Sequence, residues 1–354
     1  MFSKIRQLLG IEEKKQGDTD VLEKPVEVAP KAEEQKVEEK KVVLYGDSGI
    51  PESQILEKEA DQELYDFKTL SMEEMKNYPD AIHDMYVGKI DGFLIKNFMS
   101  PEEVDKLLKK LYEIRDSDQN LSKLDTGFTY PTVFAEFSRR LEMADPTQKA
   151  AETSKYFLAS EEYNQTSAQV YGVDTLKKIT DFFTTLGGGR KVEVPRGVNE
   201  EGQYPFTTFR YLVPYQGLMT VHCGNYFGKT FEQFYAHMNT KVATKNQMSF
   251  FVMLHEPEEG GELSLFNFRW KEGQTKTSPN EDNEVIEPDG TKRYVQTDPS
   301  IRKNKLRPKK GDMILFQGGN IWHRVERVKG KEPRITYGGF LSLNYAGDTI
   351  YYWS

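Results

Sequence analysis

The sequence predicts a mainly β fold with flanking helices, in which a sandwich or jelly roll follows a helical segment. Seven strand-like runs separated by turn residues fill the second half of the chain, and many short strands with polar turns are typical of sandwiches and jelly rolls. Before these runs, apolar residues recur at helical spacing. The seven runs cover residues 207–213, 218–222, 248–254, 261–266, 312–316, 323–328 and 334–343.

Composition indicates one large core. The 354 residues, 37% of them hydrophobic, are enough to bury it, and nothing in the sequence argues for two. A formal net charge of -8 disfavours a nucleic-acid or anionic-membrane partner for the folded part. The single cysteine, Cys223, excludes an internal disulfide and agrees with a reducing compartment. No apolar run approaches the ~18 residues of a membrane span, so we expect a cytoplasmic protein without one.

Residues 1–44 are predicted to be a flexible, charged extension of a domain that covers residues 45–354. Residues 12–41 combine many charges and prolines with no aromatic side chain, so they cannot bury enough apolar surface to offset the entropy of ordering. Residues 1–10 place apolar side chains at helical spacing. This short piece is either a docking helix for a partner or membrane surface, or a terminal helix that frays.

Within the domain, a helical buttress is expected over residues 70–190 and the jelly-roll core over residues 191–354. A capping box at residues 100–103, with proline at the first helical position, opens a helix with apolar residues at i, i+3, i+4 and i+7. Residues 146–186 are predicted to be mainly helical, with Asp174 as a cap. The other expectations are a short helix at 71–78, a strand at 92–98, an irregular aromatic-rich segment at 126–140, a helical lid at 228–246 and a surface loop at 271–305.

Two histidines are candidate metal ligands because they lie in strand-like runs about a hundred residues apart. His222 ends one run and His323 lies in another, so their imidazoles can reach one iron. Arg334 carries a planar fork that binds a carboxylate in a bidentate manner, so it can hold an acid cosubstrate. Thr336 lies on the same face of that strand. Structural or surface roles are expected for His83, His237 and His255.

This layout resembles that of the double-stranded β-helix (jelly-roll, cupin-like) oxygenases that use Fe(II) and 2-oxoglutarate, in which His-x-Asp/Glu and a distal histidine form a facial triad. Here the motif reads His222-Cys223-Gly224, so the carboxylate is missing. In a strand, residues i and i+2 face the same side, so Gly224 is expected beside His222 and Cys223 on the opposite side. In this superfamily, His-x-Gly or His-x-Ala marks the iron halogenases, where an anion such as chloride fills the vacated position. A carboxylate from elsewhere, Glu232 or Glu262, is the alternative third ligand.

Further motifs are more specific. Residues 222–227 read HCGNYF, 260–263 GGEL, 311–316 GDMILF, 333–340 PRITYGGF and 350–354 IYYWS. Together they resemble the stand-alone Fe(II)/2-oxoglutarate-dependent aliphatic halogenases of the hapalindole-type (welwitindolinone and ambiguine) alkaloid pathways, within the 2-oxoglutarate/Fe(II) oxygenase superfamily. The resemblance covers roughly residues 78–354, and the N-terminal extension has no counterpart in that family.

The resemblance implies roles for the motif residues. His222 and His323 hold the iron, and Gly224 leaves the position that the halide takes. Arg334 and Thr336 clasp the distal carboxylate of 2-oxoglutarate.

The resemblance also points to residues around the iron. Ser249 corresponds to a serine close to the metal, whose hydroxyl orients the group bound there; the alternative is a serine that faces outward. Met219 and Phe227 correspond to positions that face the substrate, although as apolar residues they fit the core equally well. Arg210, on the strand before His222, is either a structural charge or a second contact to the cosubstrate.

The reaction implied is the chlorination of an unactivated aliphatic C–H bond of a free small molecule through a ferryl-chloride intermediate. It uses Fe(II), 2-oxoglutarate, O2 and chloride, or bromide in its place. The substrate implied is a natural product such as an indole terpenoid alkaloid, with no carrier protein. Two other functions remain open: a 2-oxoglutarate-dependent hydroxylase or other oxidative tailoring enzyme with water beside Gly224, and a non-catalytic barrel that senses 2-oxoglutarate or metal.

Overall fold

The computed structural model describes residues 43–44, 59–117, 121–124, 126–230, 232–270, 283–286, 292–295 and 301–354. The chain divides into the units Met1–Lys41 and Val42–Ser354. Residues 1–42 lie outside the described part, so the flexible extension, its boundary at residue 44 and its docking role stay predictions. The two described residues of the extension, Val43–Leu44, form a short strand.

All seven predicted strand runs contain a strand. The described strands are β1 (Val43–Leu44), β2 (Phe67–Ser71), β3 (Gly92–Lys96), β4 (Ser122–Leu124), β5 (Gly127–Tyr130), β6 (Lys191–Glu193), β7 (Thr208–Leu212), β8 (Met219–His222), β9 (Met248–His255), β10 (Glu259–Gly260), β11 (Leu263–Arg269), β12 (Asn283–Ile286), β13 (Lys292–Val295), β14 (Lys303–Leu306), β15 (Met313–Phe316), β16 (Ile321–Val325), β17 (Val328–Lys329), β18 (Arg334–Leu343) and β19 (Thr349–Trp353). The described helices are α1 (Ala81–Tyr86), α2 (Pro101–Ser117), α3 (Phe134–Arg140), α4 (Pro146–Tyr171), α5 (Thr175–Thr185), α6 (Gly224–Thr230), α7 (Glu232–Tyr235) and α8 (Met238–Lys241), with 3-10 turns at Glu74–Asn77, Val198–Glu200 and Thr244–Asn246.

Two mainly antiparallel sheets form a jelly-roll core, as predicted. The large sheet has the strand order β2-β3-β15-β9-β18-β7-β5-β4, with β19 paired to β18 and β6 to β19. The small sheet has the order β14-β11-β16-β8. Leu263 and Leu265 of the small sheet pack on Ile314 and Phe316 of the large sheet, so the two inner faces are in contact.

Side chains of the large sheet alternate between the helical layer and the small sheet. Phe250 and Tyr337 belong to the main core, which also contains the buried faces of α2 and α5. Ser249, Arg334 and Thr336, one residue out of phase, line a cavity on the other face. Because the side-chain period of a strand is two, Ser249, Arg334 and Thr336 are carried to the side that faces the small sheet.

The predicted helix signals are confirmed. Glu103 and Ser100 form the capping box: the Ser100 N–H donates to Glu103 Oε2 at 2.8 Å and the Glu103 N–H to Ser100 Oγ at 3.3 Å. Asp174 caps α5 by accepting a hydrogen bond from the Lys177 N–H at 2.9 Å. The buried face of α2 consists of Val104, Leu107, Leu108 and Leu111.

Three segments differ from the predictions because tertiary pairing decided them. The segment 126–140 is not irregular but contains β5 and α3; β5 pairs with β7, where the Phe128 and Tyr211 rings stack with centroids 4.7 Å apart. The segment 271–305 is not only a loop, since β12 and β13 pair with each other and β14 pairs with β11. The predicted helix at 71–78 is reduced to the 3-10 turn because Ser71 ends β2, which pairs with β3.

No helix in the described part of the chain is both long and apolar enough to cross a membrane. This finding does not test the predicted cytoplasmic location, which stays a prediction.

We expect Phe183→Ala to lower the free energy of unfolding by about 3–5 kcal/mol. The Phe183 side chain is fully buried, with edge-on ring contacts to Phe250 at 5.0 Å and to Tyr352 at 5.5 Å, so truncation opens a cavity between α5 and the large sheet. Urea denaturation followed by circular dichroism measures the change. The control Leu158→Ala, at a 52% exposed position, should change it by less than about 0.5 kcal/mol; equal effects of the two would contradict this packing.

Candidate active site

Two buried histidines face each other across the small sheet. His222, the last residue of β8, is the direct cross-strand partner of His323 in β16. Their ring centroids lie 4.2 Å apart, and each residue is less than a tenth exposed. The two candidate iron ligands are therefore brought together by backbone register rather than by flexible loops.

The His323 ring is oriented as a metal ligand requires. Its Nδ1–H donates to the carbonyl oxygen of Ile321 at 2.7 Å, which leaves the Nε2 lone pair available. Burial lowers the pKa of His323 to about 4, and this hydrogen bond only partly opposes the shift. The imidazole is thus neutral at neutral pH, the form that binds a metal.

The described residues contain no third protein ligand. No cluster of three or more His, Cys, Asp or Glu side chains is placed to hold a metal within this part of the chain. Glu232 is exposed, and Glu262 pairs with Arg307 at 3.3 Å. The alternative in which one of these glutamates completes the triad is therefore wrong. Two imidazoles without a carboxylate fit an iron that takes its other ligands from small molecules.

The sequence predicted that Gly224 continues the strand of His222, and this prediction is wrong. The strand ends at His222, and Gly224 begins α6, where its N–H donates to the Gly318 carbonyl at 2.9 Å and the Asn225 N–H donates to Gly319 at 3.0 Å. Gly224 still lines the cavity with His222. Cys223 points away, as predicted, and is buried in the cluster that contains Trp322.

The space beside Gly224 is bounded by an amide side chain. A Cβ at Gly224 would lie 2.0 Å from Gln247 Nε2 and 2.9 Å from Gln247 Cδ. Any larger residue at position 224 therefore requires the Gln247 side chain to move. Where the superfamily motif places a carboxylate, this chain has a glycine against a carboxamide.

The histidines open into a cavity of about 440 Å³ between the two sheets. This volume falls in the range of about 300–1,000 Å³ typical of small-molecule sites. Aromatic and aliphatic side chains form most of the wall, including Phe134, Met219, Phe251, Leu263, Phe340 and Trp353. The polar side chains on the wall include Thr129, Arg210, Gln247, Ser249, Arg334 and Thr336.

Arg334 is a buried cation without an acidic partner in the described residues. It is 2% exposed, its Nε has no hydrogen-bond partner, and its guanidinium lies 5.1 Å from the centroid of the Phe251 ring. Burial, and then the neighbouring Arg210, lower the pKa of Arg334 to about 9, so the group still carries its charge at neutral pH. A buried unpaired charge is costly, and an acidic ligand would relieve that cost. Arg334 therefore fits the distal carboxylate of 2-oxoglutarate, with Thr336 on the same wall.

Arg210 is a second cation in the cavity. It lies directly opposite Thr336 on the adjacent strand, and its Nη1 is 2.9 Å from the sulfur of Met219. Burial lowers its pKa, although the side chain keeps some access to the interior of the cavity. Thr129, which pairs with Arg210 on the other side, has a buried hydroxyl that finds no hydrogen-bond partner among the described residues.

Two of the other predicted site residues lie on the cavity wall. Ser249 and Met219 both line the cavity, so Ser249 does not face outward. Phe227 lies in α6, and its side chain is outside the described part of the structure. Sequence reasoning missed Gln247, although it lies two residues before Ser249 and the alternation of the following strand places it on the same side.

The other three histidines lie away from the cavity. His255 contacts the Pro333 carbonyl oxygen at 2.9 Å, which agrees with a structural role, as does the contact of His83 with Asp80 at 3.5 Å. His237 was expected at the surface but is half buried, since its Nδ1 lies 3.0 Å from the Tyr204 hydroxyl and the two rings stack.

The chain matches a known protein family over most of its length. The family model described as carrier-protein-independent halogenase WelO5 matches residues 64–354. No curated protein sequence matches the chain significantly.

Several solved structures are similar to the chain at low identity. One is an N-substituted L-amino acid dioxygenase from Burkholderia ambifaria, with 13% identity over 77% of this chain and 90% of that chain and a TM-score of 0.45. A second is the non-heme alpha-ketoglutarate-dependent epimerase SnoN from nogalamycin biosynthesis, with 10% identity over 74% and 82% and a TM-score of 0.38. A third is a Pseudomonas putida prolyl-4-hydroxylase, with 12% identity over 75% and 97% and a TM-score of 0.34. Because these TM-scores are below 0.5, family assignment rests on the sequence match alone.

We expect His222→Ala and His323→Ala each to abolish stoichiometric Fe(II) binding, because each removes one of the two imidazoles that face each other. Anaerobic equilibrium dialysis with metal analysis measures the bound iron, and circular dichroism checks that the variants fold. His255→Ala serves as the matched control, since it removes a histidine outside the cavity, and it should bind iron as the unmodified chain does. Retained binding in either cavity variant would exclude this pair as the iron site.

Proposed function

The chain belongs to the carrier-protein-independent halogenase family, and on that premise we propose that it is an Fe(II)/2-oxoglutarate-dependent halogenase that chlorinates an unactivated aliphatic C–H bond. Membership of this family makes the chain a non-haem Fe(II)/2-oxoglutarate oxidoreductase that acts on a free small molecule. The halide, the substrate and the roles of individual residues belong to the proposal.

The observation that carries the proposal is a pair of facing histidines without a carboxylate. His222 and His323 are direct cross-strand partners, and no acidic side chain in the described residues completes a metal site with them. A facial triad supplies one anionic ligand to the iron, so its loss leaves one position and one negative charge to be restored. A halide restores both, whereas water restores only the position.

Residues of the chain can bind the iron, bind 2-oxoglutarate and orient the group next to the substrate. When bound, the iron supplies the oxidation of the C–H bond together with O2 and 2-oxoglutarate. His222 and His323 would hold it through their ring nitrogens. Arg334 would pair with the distal carboxylate of 2-oxoglutarate, and Thr336 would donate its hydroxyl to the same group. The Ser249 hydroxyl, on the cavity wall, orients the group bound next to the substrate.

The walls of the cavity select the substrate. Most of the lining is apolar and aromatic, which excludes water from the site and favours a hydrophobic molecule. Met219 lines the wall next to the histidine pair, and we propose that it contacts the substrate. An indole terpenoid alkaloid is the substrate class we propose, because its fused apolar rings complement aromatic walls such as Phe134 and Trp353.

We expect chloride to bind at the iron of the anaerobic protein loaded with Fe(II) and 2-oxoglutarate. The weak visible charge-transfer band should change saturably with chloride, and the same ionic strength of sulfate should leave it unchanged. In Gly224→Asp the chloride response should be lost, because the new carboxylate takes the position and its Cβ enters space now held by Gln247.

Each other outcome of this titration identifies a different function. A normal band that ignores chloride would contradict the halogenase proposal and leave a hydroxylase with water at that position. The absence of any band would contradict the assignment of the iron and 2-oxoglutarate site itself.

We expect Arg334→Met to weaken 2-oxoglutarate binding by about thirtyfold or more, since truncating one partner of a buried charge pair costs about 2–5 kcal/mol or more. Titration of the same charge-transfer band with 2-oxoglutarate gives the affinity. Arg307→Met removes an arginine that is half exposed and paired with Glu262 outside the site, so it should leave the affinity unchanged. Unchanged affinity in Arg334→Met would assign the cosubstrate to another cation, with Arg210 the first to test.

A further inference from the structure

We propose that the side-chain amide of Gln247 donates the hydrogen bond that holds the halide in the position vacated at Gly224. The inference rests on the proposed halogenase function and adds to it a residue that contacts the halide directly. It assigns the halide site two walls, the backbone of Gly224 and the Gln247 carboxamide that lies against it.

The geometry places a donor at the vacated position. The point where a Cβ of residue 224 would lie is 2.0 Å from Gln247 Nε2, so the amide nitrogen occupies the start of the path that a carboxylate side chain would follow. Both residues line the same cavity as His222 and His323. An anion next to this nitrogen would therefore sit where the carboxylate oxygen of the superfamily motif would sit.

The Gln247 carboxamide has no hydrogen-bond partner among the residues that the structure describes. Gln247 is 2% exposed, its Oε1 is buried without a hydrogen-bond partner, and its Nε2 donates to no residue in the described part of the chain. Buried amides almost always form hydrogen bonds, and one without any costs the full desolvation penalty of the group. An anion at the edge of the cavity would accept the hydrogen bond that Nε2 does not make, whereas Oε1 is itself an acceptor and would need a separate donor.

Backbone hydrogen bonds fix the position of the residue that carries this side-chain amide. The Gln247 N–H donates to the Thr244 carbonyl at 3.1 Å, and the Gln247 carbonyl accepts from the Gly319 N–H at 2.9 Å. A Cβ at Gly319 would lie 2.5 Å from the Gln247 carbonyl oxygen, so only glycine allows this approach. Because Gly319 also accepts the Asn225 N–H, the segments that carry Gly224 and Gln247 are tied to the same loop.

The chemistry of a primary amide suits an anionic ligand such as a halide. Nε2 carries two donor hydrogens and no charge, so it can approach an anion without cost from like-charge repulsion. A hydrogen bond to an anion is shorter and stronger than one to a neutral acceptor, above all in a water-poor cavity. Arg210 and Arg334 add a positive potential to the same cavity, which favours an anionic occupant over water.

The test compares chloride affinities of the full-length protein loaded anaerobically with Fe(II) and 2-oxoglutarate. Gln247→Leu keeps the volume of the side chain and removes the donor, so the apparent Kd for chloride, read from the charge-transfer band, should rise by about tenfold to a hundredfold. The affinities of the same variant for Fe(II) and 2-oxoglutarate should stay within about twofold, a result that a merely structural role would not give. Gln216→Leu, at an exposed glutamine, is the matched control and should leave the chloride affinity unchanged.

The outcomes separate this inference from the function on which it rests. If the unmodified protein responds to chloride and Gln247→Leu responds with the same Kd, the Gln247 contact is overturned while the halogenase proposal stands. If the unmodified protein shows the band but no chloride response, both are overturned. A loss of Fe(II) or 2-oxoglutarate binding in Gln247→Leu would assign the residue to the structure of the site and would also overturn the contact.

A second measurement checks the placement of the amide without metal or halide. Gly224→Ala puts a methyl group on Gln247 Nε2, so it should lower the Tm of the metal-free protein, and the same substitution in a Gln247→Ala background should lower it much less. Equal losses of Tm in both backgrounds would show that the amide does not lie against Gly224 and would overturn the inference.

Discussion

The backbone pairing of His222 with His323 is the constraint on which the rest of the site depends. Cross-strand neighbours in an antiparallel pair have Cβ atoms about 4.5–5.5 Å apart, so direct pairing alone brings two imidazoles within reach of one metal ion. The observed ring-centroid separation of 4.2 Å follows from that register. A slip of β8 by one residue against β16 would turn His222 to the opposite face and place Val221 or Cys223 in the cavity.

The second sheet turns this histidine pair into a site. Because the large sheet alternates, it presents Ser249, Arg334 and Thr336 to the side on which the small sheet packs, while its apolar partners face the helices. The cavity therefore receives polar groups from one sheet and the histidines from the other. Neither sheet carries both the histidines and the polar side chains, and the packing of the two inner faces brings these residues together.

The same arrangement costs stability. Around one cavity, four buried polar atoms have no hydrogen-bond partner within the described part of the chain: Arg210 Nε, Arg334 Nε, Gln247 Oε1 and the Thr129 hydroxyl oxygen. Each unsatisfied buried polar group costs about 1–3 kcal/mol, so the large apolar core behind the sheet must offset several such penalties. An acidic or anionic ligand would accept hydrogen bonds from the two arginines and the Thr129 hydroxyl, which explains why cations lie on an otherwise apolar wall, whereas Gln247 Oε1 is an acceptor and would need a donor.

The sequence by itself determined the periodicities and the chemistry. Alternation and capping signals predicted seven strand runs of the core and the helix after Ser100, while the motifs predicted that His222, His323 and Arg334 would lie together. These signals are local, because side-chain spacing and cap hydrogen bonds depend on neighbouring residues.

The tertiary structure decided what depends on residues distant in sequence. It set the opposition of the two histidines, the end of β8 at His222 and the strand within residues 126–140, which forms because β7 is beside it. It also set the contact of Gln247 with Gly224, because that contact depends on backbone hydrogen bonds to Gly318 and Gly319. These two glycines are distant in sequence from both residues, so local sequence carries no information about the contact.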